Sequence, residues 1–162
     1  NLIITNSDGS TINAGAVKGA KGTFALESGK WYWEATVSST AAGSNSYVGI
    51  VKTSGTSDAN SNRVYYRGDG NIVKYGTATS GYSTFTTNDV IGVALDMDAG
   101  TITFYKNNSS QGTAFTGISG TYMPFLACYG SAETNAGNFN FGQRPFTYTP
   151  PSGYVALNTY NM

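Results

Sequence analysis

The chain has 162 residues with nine basic and nine acidic side chains, no histidine and one cysteine. Zero net charge removes the electrostatic footprint of a protein that grips phosphate backbones or anionic lipid, so neither nucleic acid nor membrane insertion is expected. Without histidine there is no imidazole triad, proton shuttle or histidine metal cluster, and one thiol cannot build a zinc site, so no metal or other cofactor is expected.

Gly, Thr, Ser and Asn supply 74 of the 162 residues, a mixture that favours strands and turns over helices. The opening Asn1-Leu2-Ile3-Ile4-Thr5 lacks a basic targeting region and an initiator Met, so the chain reads as a domain cut from a larger protein. No apolar run approaches the ~20 residues of a membrane-spanning helix. The first clear strand is Trp31 to Val37. Period-two alternation puts Trp31, Trp33, Ala35 and Val37 on a packed face, and Tyr32, Glu34 and Thr36 on one that is at least partly wet.

A polar loop from Ser38 to Ser46 leads to a strand at Tyr47 to Lys52, and a second loop, Thr53 to Asn62, to a short strand at Val64 to Tyr66. Arg67-Gly68-Asp69 matches an integrin-recognition tripeptide, but the following Gly70 makes Asp69-Gly70 a hairpin turn before the strand Asn71 to Tyr75. A loop is expected at Thr77 to Ser83. Val90 to Met97 places Ile91, Val93, Leu95 and Met97 opposite Val90, Gly92 and Ala94, with both faces covered. Asp98-Ala99-Gly100 turns that strand into Thr101 to Lys106, and Asn107-Asn108-Ser109-Ser110 turns the chain again.

Tyr122 to Tyr129 reads as a buried strand carrying Cys128, which has no partner for an internal disulfide. After a loop at Ser131 to Gly137 comes a strand at Asn138 to Phe141. Beyond it, Arg144 to Pro151 is expected to run extended over the surface, because each proline biases its predecessor away from helix. About ten short strands punctuated by turns make an all-β, antiparallel sandwich.

Five segments in order are similar to the motifs of the SPRY domain. Gly29-Lys30-Trp31-Tyr32-Trp33-Glu34-Ala35-Thr36-Val37 resembles G-K-x-Y-W-E-x-x-V, and Val48-Gly49-Ile50 resembles the strand that follows it. Asn88 to Asp96 resembles G-D-V-I-G-V-x-L-D, with Asn88 in place of the usual Gly. Asp98 to Asn107 resembles D-x-G-T-[IL]-x-F-x-x-N, and Asn140-Phe141-Gly142 matches the terminal N-F-G. The resemblance implies a bent antiparallel β-sandwich, a concanavalin-like jelly roll, over residues 1–146, with 147–162 an extended strap or linker. It also implies a binding module that docks peptides or protein surfaces rather than an enzyme. Phe141 to Phe146 together with Pro150 to Asn158 further resembles SPRY modules of bacteriophage virion proteins, which implies a place on the virion or tail, at the surface of the particle.

Asp96-Met97-Asp98-Ala99-Gly100 has the alternate aspartates of a calcium loop but no third ligand and no distal Glu, so the hairpin accounts for it better. Glu34, Asp96 and Asp98 are the carboxylates a glycosidase could use, although the fold motifs already explain them. Most aromatics are assigned to packing, among them Trp31, Trp33, Phe104, Phe125, Phe139 and Phe141. Tyrosine and arginine beside Ser/Gly/Asn loops make a paratope-like composition. The expected binding surface therefore takes Arg63, Tyr66, Arg67 and Tyr82, with Tyr47 and Tyr129 in reserve. The function read from the sequence is non-catalytic recognition of a protein or a cell-surface glycan by such a surface. The alternatives are a structural domain that packs against other virion proteins, and a carbohydrate-active enzyme using carboxylates. No coiled coil or repeat points to an oligomeric state.

Overall fold

A computed structural model describes residues 17–37, 46–54, 60–129 and 137–162. Most of the loops read at 38–46, 53–62 and 131–137 fall outside the described residues, as does the chain start. The described residues form twelve strands: β1 (Val17–Lys21), β2 (Lys30–Val37), β3 (Ser46–Lys52), β4 (Arg63–Arg67), β5 (Asn71–Lys74), β6 (Thr77–Thr79), β7 (Val90–Asp96), β8 (Thr101–Lys106), β9 (Ser109–Phe115), β10 (Tyr122–Tyr129), β11 (Gly137–Asn140) and β12 (Val155–Ala156). They make two antiparallel sheets, β1-β10-β3-β4-β5-β6 and β11-β2-β7-β8-β9, with β12 added in parallel to β2.

The inner faces meet in one core. Val48, Ile50, Val64, Tyr66, Ile72, Tyr122 and Leu126 come from the first sheet, and Trp33, Ala35, Val37, Ile91, Val93, Leu95, Ile102 and Phe104 from the second. Phe139, Phe141 and Leu157 close one side of it. Phe125, expected in this core, sits instead with Val51 and Ala127 in a smaller cluster on the opposite face of the first sheet. Strand parity decides this, since Leu126 takes the inward position beside it.

Asparagine makes the turns. Asn107 and Asn108 have φ of 45° and 71° and lie between the paired residues Lys106 and Ser109, a two-residue hairpin of the left-handed kind. Ser109 and Ser110, read from sequence as turn, therefore begin β9. Tyr75 and Gly76, with φ of 51° and 89°, make the same turn between Lys74 and Thr77. Tyr75, expected to be the last residue of the strand, thus lies in the turn after β5, and β6 lies inside the segment expected to be loop. Asn88 holds φ of 70°, which explains why glycine is usual there and why asparagine serves.

All seven residues of β7 are buried, as the covered-faces reading requires. Gly92 leaves room for a neighbouring side chain. A Cβ there would lie 2.5 Å from the Tyr32 hydroxyl and 3.1 Å from its ring, because Tyr32 crosses directly above it.

The face of β2 expected to be at least partly wet is half-buried at Thr36 but dry at its centre, where Tyr32 and Glu34 are 2% and 1% exposed. The segment after β11 covers them. Phe146 meets Tyr32 edge to face at 5.0 Å, and the N–H groups of Thr147 and Tyr148 each donate to the Glu34 carboxylate at 2.9 Å. The Leu157 N–H donates to the Tyr32 carbonyl at 3.1 Å. The segment is not extended throughout; it bends at Thr147 and Tyr148, where two consecutive N–H groups turn to the same carboxylate.

Candidate interaction surface

The outer face of the first sheet is built by register. Tyr47 of β3 pairs with Ala127 of β10 and Arg67 of β4, and Arg67 pairs onward with Asn71 of β5. The next row outward-facing by the same parity runs Phe125, Gly49, Tyr65, Val73. The row after that runs Met123, Val51, Arg63. Val51, Phe125 and Ala127 form a fully buried apolar floor, with Tyr47 and Met123 half-buried against it.

Above this floor the polar aromatic groups hold one another. The rings of Tyr47 and Tyr65 are 4.9 Å apart and tilted at 44°. The Arg63 guanidinium lies 5.6 Å from the Tyr65 ring centre and 5.5 Å from that of Phe125, within cation–π range of both. Burial pushes the Tyr65 hydroxyl pKa up, with Arg63 and Arg67 pulling the other way.

At the end of β4 the Arg67 guanidinium grips Asp69 with both prongs, Nε to Oδ1 at 2.9 Å and Nη2 to Oδ2 at 2.8 Å. The Asn71 N–H donates to the same Oδ1 at 3.2 Å, and Gly70, at φ of 81°, closes the turn by donating to the Arg67 carbonyl. Burial works to raise the Asp69 pKa, but the hydrogen bonds from Arg67 and Asn71 outweigh it and hold the carboxyl below its usual value. The Arg67-Gly68-Asp69 tripeptide is therefore an internal ion pair that closes a hairpin, with its two charges turned on each other instead of outward.

The six residues expected at the binding surface divide. Arg67 and Tyr47 stand half-buried on this outer face. Arg63 shares the face but is 2% exposed, packed over the rings, so it supports the surface from within. Tyr66 is a correction. Period two turns it to the core, where it is fully buried between Phe85 and Phe104 at 4.9 and 5.6 Å, and its hydroxyl donates to the Ser83 carbonyl. Burial, with the Asp89 charge adding, pushes its pKa up to about 12. Tyr82 packs against the rim of the main core and not with the Tyr47 and Tyr65 rings. Tyr129 ends β10 opposite Val17, and its side chain lies outside the described residues.

Tyr65 and Asn71 share this outer face, and Asp69 pairs with Arg67 there, although none of the three is among the residues expected at the surface. The signal was in Arg63-Val64-Tyr65-Tyr66-Arg67 itself, where alternation groups Tyr65, not Tyr66, with the two arginines.

The carboxylates considered for hydrolysis are all engaged. Asp96 accepts from Lys30 at 3.0 Å and from the Ala99 N–H at 2.8 Å, Asp98 accepts from the Gly29 N–H at 2.8 Å, and Glu34 is covered as described. Among the described residues no three Asp, Glu or Cys side chains are grouped to hold a metal ion.

Comparison with known proteins points one way. The family model described as the SPRY domain matches residues 30–144. The crystal structure of the SPRY domain of human HERC1 superimposes with a TM-score of 0.66 at 24% sequence identity, covering 84% of this chain and 89% of that one.

Proposed function

The chain belongs to the SPRY domain family, and on that premise we propose that it is a protein-binding module whose docking surface is the outer face of β10-β3-β4-β5. The observation that carries this reading is the half-buried Tyr47 packed against the apolar floor of Val51, Phe125 and Ala127, in one cross-strand row with the half-buried Arg67 and Asn71 and with Asp69 paired to Arg67. Tyrosine presents a large rigid face at low entropic cost, and a side chain already fixed by its neighbours loses little freedom on binding. The bidentate pair with Asp69 fixes Arg67 in this way and cancels its charge. Recognition then rests on stacking and neutral hydrogen bonds, so affinity changes little with ionic strength.

The test is affinity capture with the intact chain and with a Tyr47→Ala/Arg67→Ala variant of unchanged circular dichroism. Proteins retained by the first and lost by the second support the surface; an identical retained set refutes it. In its finer form the reading puts the module on a bacteriophage virion or tail, where it contacts a host protein, a cell-surface glycan or a neighbouring virion protein. The likeness of Phe141 to Phe146 and of Pro150 to Asn158 to phage modules supports that context. Mass spectrometry of purified particles that finds no peptide of this chain would remove it.

A further inference from the structure

The second sheet carries a contact of a different kind. Glu34 lies in the middle of β2, a charged side chain 1% exposed. An ionised carboxylate is costly to bury unless its lone pairs are satisfied. Its partners are the consecutive N–H groups of Thr147 and Tyr148, with the Tyr32 hydroxyl farther off at 3.5 Å. Consecutive N–H groups of an extended chain point to opposite sides; they converge only where the backbone bends into an anion-binding concavity. The strap bends at that point and nowhere pairs with a strand until Val155. Core residues pin it at both ends, Phe141 before it and Leu157 after it. At its start the Gln143 side chain accepts from the Phe141 N–H at 2.6 Å and donates to the Phe139 carbonyl at 3.1 Å, and at its end Val155 and Ala156 pair with β2. Between these two anchors residues 144–154 are tied to the sandwich by the Glu34 carboxylate and by the Asn140 side-chain amide, which donates to the Pro145 carbonyl at 3.1 Å.

We propose that residues 144–154 are a latched strap, an intramolecular ligand that Glu34 holds by its backbone and that lifts between Gln143 and β12 while the sandwich stays folded. Lifting uncovers Glu34, Tyr32 and Asn140. The main core keeps its seal, because Trp33 and Ala35 face the other way, against the first sheet. The outer face of β2 is thus a second peptide-reading position on this domain, with the chain's own bent segment as its occupant. This inference is independent of the docking surface on the first sheet.

Residue-resolved amide hydrogen exchange on the full chain tests it, in the wild type, in Glu34→Gln and in Thr147→Pro. In the wild type the Thr147 and Tyr148 amides should be protected, but roughly 100-fold less than those of Trp33 and Val93 in the β2-β7 ladder, because the strap opens below the global unfolding energy. Glu34→Gln should lower protection at Thr147 and Tyr148 by about 10- to 100-fold, as expected for two charge-assisted hydrogen bonds, and change the ladder amides by less than about twofold. Thr147→Pro deletes one donor from the strap without touching the sheet. It should cost the Tyr148 amide about tenfold in protection and leave Leu157 and the ladder unchanged. Equal protection of strap and ladder in the wild type, a matching loss in both on either substitution, or no loss at Tyr148 would each overturn the latch.

Discussion

Gly92→Ala tests whether Tyr32 lies across the second sheet under a fixed roof. The new methyl carbon would sit 2.5 Å from the Tyr32 hydroxyl and 3.1 Å from two ring carbons. Tyr32 cannot step aside, for it is 2% exposed with Phe146 edge-on above it. Overpacking of this kind costs about 1–3 kcal/mol. Removing a glycine from an unfolded chain offsets about 0.4–1 kcal/mol of that, since Gly92 has an ordinary strand φ that alanine can adopt. The net expectation is a loss of up to about 2.6 kcal/mol, read by urea unfolding, with a drop in Tm of about 2–4 °C for each kcal/mol in a chain of this size. Tyr32→Phe supplies the control. Its hydroxyl is at the long limit of a hydrogen bond to Glu34, so the single variant should lose less than about 1 kcal/mol. Combined with Gly92→Ala, it removes the closest clash and should restore at least about 0.5–1 kcal/mol, a coupling that a double-mutant cycle resolves. A Gly92→Ala variant more stable than the wild type, or strictly additive effects in the double variant, would refute this packing.

Tyr66→Phe should destabilise the domain by about 0.5–1.5 kcal/mol, leaving the Ser83 carbonyl without its donor. Because that pKa is raised to about 12, the substitution should also delete a late step from the ultraviolet tyrosinate titration; loss of an early step instead would contradict the burial. Tyr47→Ala and Arg67→Ala should each weaken partner binding by more than about 1 kcal/mol while leaving the fold intact, whereas a tenfold weakening of wild-type binding between low and physiological salt would count against the neutral mechanism. Asp89 and Asp96 govern acid stability. Burial tends to raise both pKa values, but hydrogen bonds from the Thr86 and Ala99 N–H groups, with Lys106 and Lys30 alongside, bring them below the ordinary 3.8. The unfolded chain then binds protons first, so both groups stabilise the fold above the ordinary value and lose that contribution as pH falls toward and through the lower folded values. Asp89→Asn should flatten the stability profile over that window; an unchanged slope in denaturant titrations at stepped pH would reject the assignment.

The residues of the candidate surface show how far a sequence reaches and where it stops. Alternation in Arg63 to Arg67 sorts the side chains into two sets, and the register of β3, β4 and β10 adds Tyr47 and Phe125 to one of them. The alternation does not say which set faces the opposite sheet, so a reading by residue type alone takes Tyr66 to the surface and leaves Tyr65 behind. The Arg67 and Asp69 pairing is equally invisible, because it depends on how the Gly70 turn folds the two side chains together.

What the sequence determined by itself is local. Period-two hydrophobicity specified β2, β7 and β8, and asparagine and glycine marked where the backbone takes positive φ, because these preferences belong to single residues and their immediate neighbours. The tertiary structure alone decided the polar strands β6 and β9, whose stability comes from backbone pairing with a neighbour and leaves no side-chain pattern. It also decided that the second face of β2 is dry at Tyr32 and Glu34, since a carboxylate reads as a wet position until a distant stretch of backbone brings two N–H groups to meet it.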